Sequence, residues 1–285
     1  MAVSFEQFII QCCKSEERGL RKWMRRILPR YGFTIKEDEY ISTRAKENDA
    51  YNEVHNLLAI RGTNPKVCLV AHTDICRDHQ EKDIYYGNPN KKPANAKMVE
   101  PVIKRVEIEE EDGKIVKRVI QDKNNELQVG GDDRLGVAIN TWIALNTGYD
   151  MALLFTTDEE IGLKSAREAD FAELRGFELC VQTDRGNHSH ELVNKIAGTL
   201  LCDYDTTVRL LDIAWSIGAP RKLVNGANTD VAALKERKII NRAVNMTCGY
   251  HHSYSASGNE YINIDEAVST MKYVAAIVKN FEMYP

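Results

Sequence analysis

Three apolar runs constrain this chain more than any other feature. They are Val67-Cys68-Leu69-Val70-Ala71, Met151-Ala152-Leu153-Leu154-Phe155 and the stretch from Phe177 to Gln182. Runs that are continuously apolar, rather than alternating, mark strands buried on both faces, as in the sheets of α/β proteins. Each run ends in polar chemistry. The first leads into His72-Thr73-Asp74, the second into Asp158-Glu159-Glu160, and the third into Thr183-Asp184-Arg185-Gly186. Open α/β sheets place their ligands outside the carboxyl ends of such strands. The pattern therefore predicts a sheet whose exit edge is lined by an imidazole and several carboxylates.

The remaining segments frame that sheet. Ser4 with Gln7 three residues on is a capping-box pattern and predicts a helix through about Cys13. Ser15 is expected to cap a second helix, with Leu20, Trp23, Met24, Ile27 and Leu28 on its buried face and Pro29 and Gly32 ending it. Its basic residues, Arg21, Lys22, Arg25 and Arg26, read as the solvated face. Residues 33–42 and 53–61 read as strands, with His55 a structural histidine. Residues 77–100 read as a long polar loop, and 101–120 alternate around Asp112-Gly113 as a β-hairpin. Helical patterns follow at Leu135–Leu145, Leu163–Leu174 and about 204–217, 229–236 and 265–282, with a strand at Ile239–Met246. Strands alternating with helices predict a three-layer α/β/α sandwich around a mixed, mostly parallel sheet. The length suits one domain over residues 1–285, carrying a loop-hairpin insertion at about 77–125.

Composition removes several function classes. The chain has 285 residues and a formal net charge of −4, so neither nucleic acid nor an acidic membrane surface is expected as a partner. No apolar run reaches the length of a membrane span, and the first residues lack a signal-peptide pattern. Seven cysteines, an odd number without Cys-x-x-Cys spacing, read as reduced thiols of a cytoplasmic protein.

The strand ends carry specific chemistry. In His72-Thr73-Asp74 the imidazole is suited to bind a metal through one nitrogen, while an aspartate two residues on accepts the other N–H and fixes the ring. Adjacent Glu159 and Glu160 point in different directions, so one is free to hold a cation while the other faces what that cation activates. Gly130-Gly131 permits a tight turn before Asp132-Asp133, which as a plain motif would be a helix cap. Together with His251 or His252, these residues form a mixed nitrogen and oxygen set without thiolate. Such a set suits zinc, manganese or cobalt. Five ligands with a glutamate to spare suggest two ions bridged by one carboxylate.

On these motifs the chain resembles the zinc exopeptidase superfamily with co-catalytic metals. That group includes peptidase T-like tripeptidases, carboxypeptidase G-type enzymes, bacterial leucyl aminopeptidases and tetrahedral aminopeptidases. The resemblance implies a phosphorylase/hydrolase-like fold, two divalent ions (zinc first, with manganese and cobalt as alternatives) and cleavage of an amide bond. His72 would be a ligand and Asp74 its orienting partner. Gly131-Asp132-Asp133-Arg134-Leu135-Gly136 is similar to the Asp-Asp-Lys/Arg-x-Gly motif, which makes Asp132 the bridging ligand and implies a cis peptide after it. Glu159 would be the general base, and Glu160 and Asp184 ligands. His252 matches the last histidine, favoured over His251 by the serine that follows it. Asn225-Gly226-Ala227-Asn228-Thr229-Asp230 resembles the Gly-x-x-Thr-Asp turn near such sites.

The match has two departures: in Tyr250-His251-His252 two histidines compete for one ligand position, and the domains that family members insert have no room here. The stretch from Asp184 to Gly226 is too short for a lid or dimerisation domain, and that from His72 to Asp132 too short for an inserted barrel. A minimal catalytic domain is therefore expected, with Arg185, His188, His190 and Tyr250 as candidates to steady an oxyanion in place of a lid histidine. The first reading is an aminopeptidase or tripeptidase on short peptides. An N-acyl amino acid deacylase shares the metal site, and a non-catalytic binding protein on the same fold is the reading from another class. Oligomeric state stays open, a homo-oligomer included.

Overall fold

The apolar runs become adjacent central strands in the computed structural model, which describes residues 3–43, 52–75, 99–110, 113–253 and 259–284. In chain order the first strands are β1 (Thr34–Glu37), β2 (Leu57–Arg61), β3 (Val67–His72), β4 (Pro101–Glu110), β5 (Gly113–Asp122) and β6 (Met151–Thr156). They are followed by β7 (Leu179–Arg185), β8 (Glu191–Ile196), β9 (Thr199–Leu200), β10 (Lys222–Gly226), β11 (Ala243–Thr247), β12 (Tyr250–His251) and β13 (Tyr261–Asn263). The helices are α1 (Phe5–Lys14), α2 (Glu17–Ile27), α3 (Gly131–Asn146), α4 (Lys164–Glu168), α5 (Tyr204–Ser216), α6 (Asp230–Glu236) and α7 (Ile264–Met283).

The main sheet has the order β1-β2-β6-β3-β7-β11-β8-β10, with β9 added to β8. Strands β6, β3, β7 and β11 are mutually parallel, so their carboxyl ends leave the sheet on one side. Along the central strands alternate residues enter two different cores. Leu69, Ala71, Leu153 and Phe155 pack with α1, α2, α3, α5 and α7. Cys68, Val70, Ala152 and Leu154 pack with α6 and the segment around Phe171 and Leu174. Successive strand side chains point to opposite faces, and both faces here are dry, which accounts for the unbroken apolar runs. Each buried leucine, valine or phenylalanine among them contributes roughly 1.5–3 kcal/mol by burial. The architecture is the three-layer sandwich the sequence implies.

The hairpin β4–β5 forms as expected, and its base is recruited into a second sheet of order β12-β13-β5-β4. Ile120 of β5 pairs with Ile262 of β13. The loop expected at 77–100 lies, up to residue 98, outside the described residues.

Local expectations meet several corrections. Ser4 caps α1 as expected, accepting the Gln7 N–H. Ser15 does not cap α2; its hydroxyl donates backward to the Gln11 carbonyl, and Glu16 opens the helix without a side-chain bond. Arg21 is not solvated but fully buried. The stretch Leu163–Leu174 is not one helix: Leu163 sits in left-handed backbone, α4 ends at Glu168, and a 3-10 turn spans Ala172–Gly176. Its apolar residues reach the core without helical continuity. Among the described residues no helix is long and apolar enough to cross a membrane.

Candidate metal centre

His72 is the last residue of β3 and pairs with Thr156, the last of β6. Beyond that pair the two strands part, and the gap is filled by acidic side chains. Asp132 Oδ1 is 3.1 Å from His72 Nε2, Asp184 Oδ1 is 3.6 Å away and Glu159 Oε2 is 3.9 Å away. Two triads have donor atoms close enough to share an ion: His72, Glu159 and Asp184, and His72, Asp132 and Glu160. The structure thus brings together His72, Asp132, Glu159, Glu160 and Asp184.

Asp74 stands behind this group and serves it twice. The His72 Nδ1 atom is 2.9 Å from the Asp74 carbonyl oxygen and 3.5 Å from its carboxylate. The carbonyl is therefore the nearer acceptor for the ring N–H. The carboxylate instead receives the backbone N–H groups of Glu159 and Glu160, each at 3.2 Å. With the proton on Nδ1, the lone pair of Nε2 faces the carboxylates, as metal ligation requires.

The second acidic wall comes from the glycine turn before α3. Gly130 adopts left-handed backbone, and the Gly130 and Gly131 N–H groups both donate to the Glu260 carboxylate, at 2.7 and 2.8 Å. The Asp132–Asp133 peptide is cis. Asp133 then faces away from the triads: its carboxylate accepts the Gly136 N–H at 3.0 Å and the His72 N–H at 3.3 Å. One aspartate of the pair thus enters the cluster while the other caps the helix.

Asp184 is held on the β7 side. Its N–H donates to Asn245 Oδ1 at 3.0 Å, and the Asn245 amide donates back to its carbonyl at 2.8 Å. The Tyr250 hydroxyl donates to Asp184 Oδ1 at 3.2 Å. Asp230, from the expected Gly-x-x-Thr-Asp turn, is buried below and accepts from Thr156 Oγ1 and Gln182 Nε2. A cavity of about 220 Å³ opens over the cluster, lined in part by Asp132, Glu159, Asp184, Asn228, Thr229 and Tyr250.

The two histidines at the end of β12 stand apart from the triads. His252 has positive φ, is exposed, and its ring centroid lies 5.7 Å from that of Tyr261. Its backbone N–H donates to Asn187 Oδ1 at 2.5 Å. His251 stacks on Tyr261 and is bonded to Glu266 at 2.9 Å. Of the candidate oxyanion groups, Arg185 is paired with Glu191 at 2.6 Å, with the His188 ring 3.8 Å from the same carboxylate. Tyr250, by contrast, touches a cluster residue directly.

Burial and mutual repulsion raise the proton affinity of the cluster. Burial pushes Glu159 up to about 10, with His72 opposing the rise and Asp184, Asp230 and Asp132 adding to it. Glu160 is pushed up to about 9 by burial and then by Asp132. Asp184 rises to about 7 through burial and the Asp132 charge. Burial disfavours charge on His72, yet the hydrogen bonds to Asp132 and Asp184 raise it well above the ordinary imidazole value. Like charges packed this closely must take up protons or metal ions. The donor set of one imidazole and several carboxylates fits a divalent ion such as zinc.

Sequence reasoning missed three supports of this site. Glu260 had no visible partner because its glycines lie far back in the chain. Arg21 looked like one of a basic run. Asp158 precedes the glutamate pair and accepts from Tyr40 Oη, Ser42 Oγ and the Thr43 N–H at 2.8, 2.9 and 2.6 Å.

No protein-family model and no curated protein matches the sequence. Solved structures do share its fold. A tripeptidase from Staphylococcus aureus is 12% identical, with a TM-score of 0.71 over 99% of both chains. The aminopeptidase PepT from Bacillus cereus is 13% identical, with a TM-score of 0.69 over 98% of this chain and 99% of that one. A Zn-dependent exopeptidase from Parabacteroides distasonis is 14% identical, with a TM-score of 0.63 over 98% of this chain and all of the other. The fold is the one that the motif resemblance implies.

Proposed function

We propose that this protein is a metal-dependent exopeptidase, an aminopeptidase or tripeptidase acting on short peptides. The observation that carries the reading is the convergence of His72 with Asp132, Glu159, Glu160 and Asp184 at the exits of parallel strands. The fold shared with tripeptidase and aminopeptidase structures agrees with it.

In this reading His72, Asp132 and Asp184 would hold one divalent ion. Asp132 and Glu160 would hold the other; His252, which stands apart from the triads here, would complete it only by turning its ring toward them. Bound ions would polarise the scissile carbonyl and acidify an attacking water. The chain's own residues do the rest. Asp74 orients His72 and pins the Glu159–Glu160 backbone. Glu159 takes the proton of the attacking water and delivers it to the leaving amine. Tyr250 steadies Asp184.

The test is metal content by elemental analysis together with turnover of an aminoacyl anilide, an unblocked tripeptide and an N-acetyl amino acid. Hydrolysis of the first two with divalent metal bound supports the proposal. Turnover of the N-acetyl substrate alone would replace it with a deacylase, and a metal-free, inactive chain would end it.

A further inference from the structure

Arg21 reaches from the second N-terminal helix to the back of the metal centre. Its side chain is fully buried. A guanidinium is costly to take out of water unless its donors are met, and here they are met by a particular set of acceptors. Nε donates to Thr73 Oγ1 at 2.8 Å and lies 3.3 Å from Glu17 Oε1. One terminal nitrogen donates to the His55 carbonyl. The other donates to the Thr156 carbonyl at 2.5 Å and lies 3.4 Å from that of Phe155.

The position of these acceptors is what matters. Thr73 sits between His72 and Asp74. Thr156 closes β6, three residues before Glu159. The Thr73 N–H also donates to the Thr156 carbonyl, at 3.0 Å. The planar fork of Arg21 therefore grips both strands just where the sheet ladder ends and the two ligand-bearing turns diverge. A lysine, with one rotating ammonium, has no such fork.

We infer that Arg21 is a positioning residue: a buried clamp that fixes the His72-Thr73-Asp74 turn against the turn carrying Glu159 and Glu160. Its purpose rests on the peptidase reading above; the clamp itself does not. Glu17, which also accepts the Thr73 hydroxyl, completes the clamp and balances its charge.

The decisive measurement is amide hydrogen exchange in wild type, Arg21→Met, Arg21→Lys and Arg221→Met. Arg221 is a second buried arginine, bonded to Thr247 and Thr270 and touching neither turn. Its variant reports the general effect of losing a buried guanidinium. In Arg21→Met the amides of Thr73, Glu159 and Glu160 are expected to exchange at least tenfold faster relative to those of β8 and β10. Arg21→Lys should restore only part of the protection, and it carries the test alone if Arg21→Met does not fold. The inference is overturned if those three amides keep wild-type protection, or if exchange rises equally across the sheet as in Arg221→Met. Co2+ titration of the same proteins adds a readout at the site, with an expected tenfold weaker binding in Arg21→Met. A wild-type chain that takes up no Co2+ would end the peptidase reading and leave the exchange comparison to decide the clamp.

Discussion

The Tyr250 hydroxyl donates to Asp184 at 3.2 Å, and the Tyr250 ring occupies the space a side chain on Gly186 would need. A Cβ at Gly186 would stand 2.1 Å from Tyr250 Cε2. Tyr250→Phe keeps the ring and removes one hydrogen bond to a charged group, worth roughly tenfold in turnover. The variant should fold normally, and steady-state kinetics should show the loss in kcat. Gly186→Ala should do more damage, displacing the ring and lowering the melting temperature.

Glu159 and Glu160 are neighbours with different expected failures. Glu159→Gln should retain divalent metal and lose turnover by roughly 10²–10⁴-fold, the span of general acid–base catalysis. Asp132→Asn and Glu160→Gln should lose metal as well as activity. Elemental analysis beside a tripeptide assay checks all three, and a Glu159→Gln enzyme with wild-type turnover would refute the proton-shuttle role.

Chelation should expose a pH dependence of stability. With no cation to balance them, Glu159, Glu160 and Asp184 hold protons up to about 10, 9 and 7. The unfolded chain releases them near ordinary carboxylate values. Between those limits the folded state binds more protons than the unfolded one. The stability from these groups is therefore complete at low pH and is lost as pH rises through the folded values. Melting temperature in chelator should fall from about pH 5 to pH 9, and added zinc or manganese should flatten the curve.

Asp158 is fully buried and accepts three donors from the segment Tyr40–Thr43. Asp158→Ala strands those donors and should cost about 3 kcal/mol or more, measurable by urea denaturation. It should also reduce turnover, because Asp158 directly precedes the proposed base. Asp158→Asn, which keeps the acceptor oxygen, should recover part of both.

The architecture was legible because the central strands are dry on both faces, and few arrangements besides a doubly covered sheet produce continuous apolar runs of that length. The strand-end residues were legible for the same reason: His72, Glu159 and Asp184 have fixed offsets from runs that could be placed. The strands β8 and β10 were not legible. Lys195 and Asn194 break the apolar run of one, and Lys222, Asn225 and Gly226 make the other read as a turn. Arg21 was misplaced because a periodic pattern shows which helix face is basic, not which single cation turns inward. Glu260 could not be linked to Gly130 and Gly131 by any local rule, since its role is a contact made at long range. The pairing of β5 with β13 escaped for the same reason.

That long-range contact bears on how the protein is born. Glu260 lies 130 residues downstream of Gly130, whose turn it holds, and β5 finds its partner β13 only beyond His252. The ribosome therefore delivers His72, Asp132, Glu159 and Asp184 well before it delivers what braces the Asp132 turn. Domains fold as units during synthesis, and until Glu260 emerges the nascent chain carries the acidic cluster without its last support. Ordering of the Asp132 turn is therefore expected to wait on translation past Glu260, and a chain released short of that residue would carry nearly every proposed ligand yet lack the brace on that turn.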